Sequence, residues 1–432
     1  MHRKIHRKML DWHRKLFSCC SEGNLHHGKP IPMLYSTQTE TSDLVKYLKT
    51  KMRMSGPLTV SDYMKAILTH PGSGYYMHHD VFGVKGDFTT SPEISQMFGE
   101  LLGVWCVNEW LQNGAPSRVN VVELGPGRGT LADDMLRVFA QFKDIQNAVS
   151  LHLVEISPKL SEIQQVKLQG GAVGQTEGVS HTASQEGHHH HCVSRYGTHV
   201  FWYRDLKEVP KEFSIFIAHE FFDALPVHKF QKSENGWCEV CVDIDHNAES
   251  EKPFRFIISR GPTIASSTIL EVDPTDKRDH IEVCPEGGAI AQEIAQRIVG
   301  QGGAALIADY GHLGEKTDTF RGFKDHKVHD VLVDPGTADL TADVDFSYLR
   351  KVVGNQVKCH GPVTQETFLH NMGIGLRLQV LLERADTALR KDLITGYDML
   401  TNPHKMGERF KFLAFTQHKD QDYSPAGFIK PS

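Results

Sequence analysis

Cysteine is scarce, with eight in 432 residues. That density is too low for a disulfide framework, so a reducing compartment is the default. No apolar run approaches the ~20 residues a membrane-spanning helix needs, so no integral membrane segment is expected. Neither sign of charge dominates. Lys and Arg number 47 against 53 Asp and Glu, a net charge of −6. A chain held to nucleic acid by a broad basic face carries the opposite excess, so no nucleic-acid partner is expected. Charged residues make up 23% and hydrophobic residues 40%. Wholesale disorder is thereby excluded, and there is material for more than one domain.

The charge is uneven. Residues 1–30 carry seven Lys or Arg against Asp11 and Glu22, so the rest of the chain is the more acidic. Ile5, Met9, Trp12 and Leu16 fall on one stripe at helical spacing, flanked by basic residues. A short, basic, amphipathic start reads as a mitochondrial targeting segment, against a basic tail or a partner-binding helix. Residues 1–40 are therefore taken as targeting segment and linker, and 418–432 as a tail.

Between these ends, residues 41–115 read as a helical, substrate-side segment. Residues 71–92 form a long loop in it, and a helix follows from Glu93 to about Leu111, with Ser91 as N-cap. Arg118–Leu124 is a short buried strand, Gly125–Thr130 a turn, Leu131–Phe142 a helix and Ser150–Glu155 a second strand, which together make one βαβ unit. Further strands are expected at Val200–Tyr203, Ser214–Ala218 and Ala304–Asp309, with two more at Val357–Cys359 and Lys411–Thr416. Strands alternating with helices imply an α/β fold whose parallel sheet is covered on both faces. The core spans 116–228 and 285–417.

Residues 170–197 are rich in Gly, Ser and His, and read as a mobile surface insertion. Residues 229–284 read as a β-rich insertion. No metal is expected. His188–His191 with Cys192 cannot all address one ion from a loop, and the Cys238/Cys241 pair has no second pair. The segment 315–346 is dense in His, Asp and Thr without a compact ligand spacing, and reads as a recognition loop.

The chemistry begins at Glu123-Leu-Gly125-Pro-Gly127-Arg-Gly129, where a strand turns into a helix. A dinucleotide site reads G-x-G-x-x-G with an acid ~20 residues on. Here the third glycine comes one position early, and Glu155 stands 30 residues beyond Gly125. Glu123 would repel a pyrophosphate but suit the ammonium and sulfonium of S-adenosyl-L-methionine. Glu155 is placed to hold the ribose hydroxyls, and Asp205 lies near the adenine edge. Both could equally be plain strand-end carboxylates.

The strand Ser214–Ala218 runs into His219-Glu220-Phe-Phe-Asp223-Ala-Leu-Pro226. Ligands of open α/β sheets lie beyond the carboxyl ends of the strands, so Glu220 and Asp223 fall beside the reactive end of such a cofactor. Carboxylates and aromatic rings together suit a guanidinium acceptor. The competing readings are a helix-start charge for Glu220 and an N-cap for Asp223. Asp309 and Tyr310 could line the acceptor side, and Thr89, Thr90, Ser91 and Glu93 could lie over the cofactor or pack as a plain loop.

Five separated motifs agree in order with one family: Gly86–Gln96, Val122–Thr130, His219–Pro226, Ala308–His312 and Asp318–Phe323. Over about residues 42–417 the chain resembles the MidA-type methyltransferases. The resemblance implies a class I, Rossmann-like, seven-stranded S-adenosyl-L-methionine-dependent methyltransferase core with an added substrate-side domain. It also implies symmetric dimethylation of an arginine on a 49-kDa-type core subunit of mitochondrial complex I, in the matrix, in service of complex I assembly. It assigns no catalytic role to Glu220 or Asp223 and leaves the oligomeric state open, a homo-oligomer included. Two rivals stand beside it. One is a nicotinamide enzyme on a similar sheet. The other is a non-catalytic complex I assembly chaperone that keeps a methyltransferase fold.

Overall fold

The computed structural model describes residues 43–78, 89–171, 187–247, 250, 252–271, 276–417 and 423–428. The targeting segment, most of the tail, Gly86–Asp87–Phe88 of the first motif and the middle of the 170–197 stretch lie outside the described residues.

The strands, in chain order, are β1 Leu58–Thr59, β2 Val119–Leu124, β3 Val149–Val154, β4 His190–Val193, β5 His199–Tyr203, β6 Ser214–His219, β7 His228–Ser233, β8 Gly236–Ile244, β9 Phe254–Ile258, β10 His280–Val283, β11 Gly303–His312, β12 Arg321–Lys324, β13 Lys327–His329, β14 Asp339–Thr341, β15 Val344–Asp345, β16 Lys358–Thr364 and β17 Phe410–Thr416. The main sheet runs β16-β17-β11-β6-β2-β3-β5-β4, with β15 pairing the end of β11. From β11 to β5 every pairing is parallel, whereas β17 and β16 are antiparallel additions. The seven strands from β16 to β5 form the sheet expected of a class I methyltransferase core.

β2 shows why this sheet was readable as apolar runs. All six of its residues are buried. Val119 and Val121 face the helices Gln96–Gln112 and Thr130–Phe139, while Val122 and Leu124 face Pro285–Gln301 and Phe346–Val353. Period-two alternation is invisible when both faces are covered.

A second unit lies over the carboxyl ends of these strands. The helices Asp43–Ser55 and Val60–Thr69 pack on Val240, Val242, Ile244 and Phe254 of an antiparallel sheet made of β1, β7, β8, β9 and β10. Leu332, Leu340 and Ala342, from the segment around the small β12–β14 sheet, complete that core. Among the described residues no helix is long and apolar enough to cross a membrane.

Three expectations need correction. The helix expected from Glu93 with a Ser91 cap is two helices, Ser91–Ile94 and Gln96–Gln112. Thr90 caps the first, and Ser95, in an extended conformation, caps the second through its hydroxyl to the Met97 N–H at 3.3 Å. The long loop at 71–92 contains a one-turn helix, Tyr75–His78. The His-rich end of the 170–197 stretch is not loop but β4, antiparallel to β5. His191 packs its ring 4.6 Å from that of Phe201 and bonds His199 at 3.0 Å, so imidazoles serve there as sheet-edge packing groups. Among the described residues no group of three or more His, Cys, Asp or Glu side chains is arranged to hold a metal ion.

Candidate active site

Beyond the carboxyl ends of β2, β3, β5 and β6 lies a cavity of about 590 Å³, lined among others by Gly125, Gly127, Glu155, Asp205, Glu220 and Phe221. Its size falls in the range of small-molecule sites, roughly 300–1,000 Å³. Five of the eight residues singled out in the sequence therefore meet on one wall. Glu123, Gly129 and Asp223 do not line it.

The glycine loop explains the wall's shape. Gly125, Gly127 and Gly129 take φ of +62°, +53° and +78°. A Cβ on Gly125 would come 2.8 Å from Cδ2 of Phe221, so the loop and the aromatic behind it close on each other only because that side chain is absent. Gly129 caps the helix Thr130–Phe139.

Gln164 locks the loop to Glu155. Its Nε2 donates to the Gly127 carbonyl at 2.7 Å and to Glu155 Oε2 at 3.0 Å, while its Oε1 accepts from Trp202 at 2.8 Å. Glu155 Oε1 accepts from the Ser157 N–H at 2.8 Å. Burial nevertheless pushes the Glu155 carboxyl up to about 7, with those bonds pulling the other way. The Ile156 N–H also acts on this carboxylate, and all three bonds favour its charged form. Asp205 lines the same cavity while its side chain accepts from the Lys207 N–H at 2.9 Å, capping the short turn Leu206–Glu208.

Glu123 is buried on the face of β2 that meets the helix Gln96–Gln112, near Cys106. Burial pushes its carboxyl up to about 8, and its Oε2 has no hydrogen-bond partner among the described residues.

Glu220 follows β6 with φ +48°, a conformation that disfavours side chains. Its Oε1 accepts from the Ser91 N–H at 3.3 Å and lies 3.2 Å from His219 Nε2. The turn after it hangs on Asp309, whose Oδ2 accepts from the N–H groups of Phe221, Phe222 and Asp223 at 3.2, 3.0 and 3.3 Å. Asp309 is fully buried, and burial beside Asp223 and Glu220 raises its carboxyl far above the usual range. It is a clamp under the loop rather than a wall of the cavity. Asp223 does not line the cavity, and its Oδ2 accepts from the hydroxyls of Tyr310 and Thr341.

The sequence reading missed Lys65, Tyr76, Met77, Arg204, Leu225 and Ile290, which also line the cavity. Arg204 adjoins Asp205 and could have been named with it. Leu225 lies within the His219–Pro226 motif, whereas Lys65, Tyr76 and Met77 come from the second unit and Ile290 from a distant helix, and no local pattern marks these four.

A family model of S-adenosyl-L-methionine-dependent methyltransferases matches residues 101–363. The chain belongs to that family. It is 54% identical over 381 residues to the mitochondrial protein arginine methyltransferase NDUFAF7 of Danio rerio, covering 88% of each chain. The human protein of that name is 51% identical over 412 residues, covering 94% of this chain and 88% of its own. A Burkholderia thailandensis crystal structure bound to S-adenosyl-homocysteine superposes with a TM-score of 0.73 at 25% identity, covering 90% of this chain and 94% of that one. S-adenosylmethionine is thus the cofactor. The side-chain-free cradle at Gly125 and Gly127 and the buried carboxylate of Glu155 fit its nucleoside and amino-acid portions.

Proposed function

We propose that this methyltransferase modifies an arginine side chain of a partner protein, yielding symmetric dimethylarginine. The partner is the 49-kDa-type core subunit of complex I in the mitochondrial matrix. The observation that carries the reading is that Glu220 lines the same cavity as the glycine loop and Glu155. A carboxylate then stands where a cationic acceptor meets the cofactor. The names of the zebrafish and human relatives support the arginine acceptor and the mitochondrial compartment.

The cofactor supplies an electrophilic methyl group on a sulfonium. Gly125 and Gly127 would let the backbone approach its amino-acid end, Glu155 would accept from the ribose hydroxyls, and Asp205 would border the adenine. Arginine's pKa lies ~5 units or more above ambient pH, so prior deprotonation would cost roughly 7 kcal/mol. A carboxylate that orients the guanidinium and takes its proton as the N–C bond forms avoids that cost. Glu220 holds that place. Asp223, already engaged by two hydroxyls, supports the loop from behind.

The test incubates the purified protein with methyl-labelled S-adenosylmethionine and the recombinant subunit, and reads modified arginines by mass spectrometry. Label on one arginine, lost with Gly125→Val, supports the reading. A folded, cofactor-binding protein that labels nothing, together with Gly125→Val still restoring complex I in deficient cells, overturns it in favour of a scaffold.

A further inference from the structure

Tyr76 belongs to the second unit, lines the cavity and bonds to residues on two sides of the chain. Its backbone carbonyl accepts from the Ser157 hydroxyl at 2.6 Å. Ser157 is fully buried and is the same residue whose N–H holds Glu155. On the other side, the Tyr76 hydroxyl donates to Asp339 Oδ1 at 2.7 Å. Asp339 opens β14, the strand that ends at Thr341. Thr341 donates to Asp223 Oδ2 at 2.8 Å, and the Ala342 N–H donates to the Asp223 carbonyl at 3.0 Å. A path of hydrogen bonds and short covalent stretches thus runs from Glu155 through Ser157, Tyr76 and Asp339–Thr341 to Asp223 in the Glu220–Asp223 turn.

We propose that Tyr76 is a positioning residue that couples the cofactor to the acceptor side. Cofactor bound at Glu155 tightens the Ser157–Tyr76 link, and the phenol holds β14 and with it the Glu220–Asp223 turn. The acceptor therefore binds second, to a turn that the cofactor has already set. The physical warrant is contiguity. The hydrogen bonds between buried or half-buried groups are linked only through the backbone of single residues and of the three-residue strand Asp339–Thr341, and residues 263 apart in sequence are joined by a phenol–carboxylate bond. Packing alone would need the ring of Tyr76 but not its hydroxyl.

The inference rests on the reading of Glu220–Asp223 as the acceptor side, but its test needs no acceptor, so the two can fail separately. Amide hydrogen exchange is followed on the full-length protein with and without saturating S-adenosylhomocysteine. In the unmodified protein the amides of 339–342 are expected to exchange at least about tenfold more slowly with ligand bound. In Tyr76→Phe that protection disappears while ligand affinity falls by less than about tenfold, the size of the coupling that is lost. If Tyr76→Phe does not fold, Asp339→Ala cuts the same bond from the other side, with the same expectation. No ligand-dependent protection of 339–342 in the unmodified protein overturns the proposal, as does protection that survives in the variant. A tenfold or greater loss of ligand affinity in the variant also overturns it, because the phenol would then serve the cofactor directly.

Discussion

If Glu155 holds the ribose, cofactor affinity must depend on pH in a calculable way. Burial lifts this carboxyl from an ordinary 4.5 to about 7, despite bonds from Ser157 and Gln164. Ionising it in the empty site therefore costs about 3 kcal/mol more than in water. Two ribose hydroxyls donate to the ionised form and favour it, so binding at pH 6 must first expel a proton. With a site pKa of about 7 the observed Kd is multiplied by roughly 11 at pH 6, by about 2 at pH 7 and by about 1.1 at pH 8. Affinity should thus rise about tenfold from pH 6 to pH 8.

Calorimetric titration with S-adenosylmethionine, in two buffers of different ionisation enthalpy at each pH, measures both quantities. Proton release should fall from ~0.9 per site at pH 6 to ~0.1 at pH 8. Glu155→Gln should flatten the profile and weaken binding by roughly 10- to 100-fold, the worth of bonds to a charged acceptor. A flat Kd and no proton release in the unmodified protein would refute the assignment of Glu155 to the ribose. Stability of the free protein has the opposite sign. A raised carboxyl pKa favours the fold below about 4.5, and that share is lost as pH climbs through about 7.

The same sign governs Glu123, buried and raised to about 8; Glu123→Gln should raise the Tm, and by more at pH 8.5 than at pH 5, in thermal scans. Gly125→Ala places a Cβ 2.8 Å from Phe221 on a backbone at φ +62°, and should lose cofactor affinity by tenfold or more (~1–2 kcal/mol of strain) while circular dichroism stays native. Gly129→Ala meets Gln164 only at 3.4 Å and should bind the cofactor more tightly than Gly125→Ala does. Glu220→Gln should lower kcat by roughly 10²-fold or more, with cofactor Kd unchanged, in single-turnover and titration experiments. Asp309→Ala leaves three loop N–H groups without their acceptor and should cost about 1–3 kcal/mol of unfolding free energy in urea titrations.

What was legible from residues alone was what local rules govern. β2 and β3 are buried on both faces and stand out as apolar runs. The glycine turn between β2 and its helix requires positive φ at three positions, which only glycine adopts cheaply. Glu155 could be placed because it ends a strand next to that turn. What failed depended on tertiary context. The helix after Ser91 breaks at Ser95, although an apolar surround gives no periodic sign of a break. β4 could not be separated from a polar insertion by composition, because its histidines pack on Phe201 and His199. Asp223 follows the same strand as Glu220 but does not line the cavity, and its hydroxyl partners, Tyr310 and Thr341, come from segments far along the chain that no local pattern links to it.

Glu220 is held by contacts from separate parts of the chain. A carboxylate on a backbone at φ +48° would relax if nothing held it, since that conformation costs about 1 kcal/mol or more. Two groups hold it from opposite sides. Asp309, in the core sheet, collects the three N–H groups of the following turn. Ser91, at the start of the segment that leads into the core, donates to the carboxylate itself. Neither alone fixes both the backbone and the side chain. The residue best placed to meet an acceptor is therefore set only when the segment carrying Ser91 lies against the end of β6.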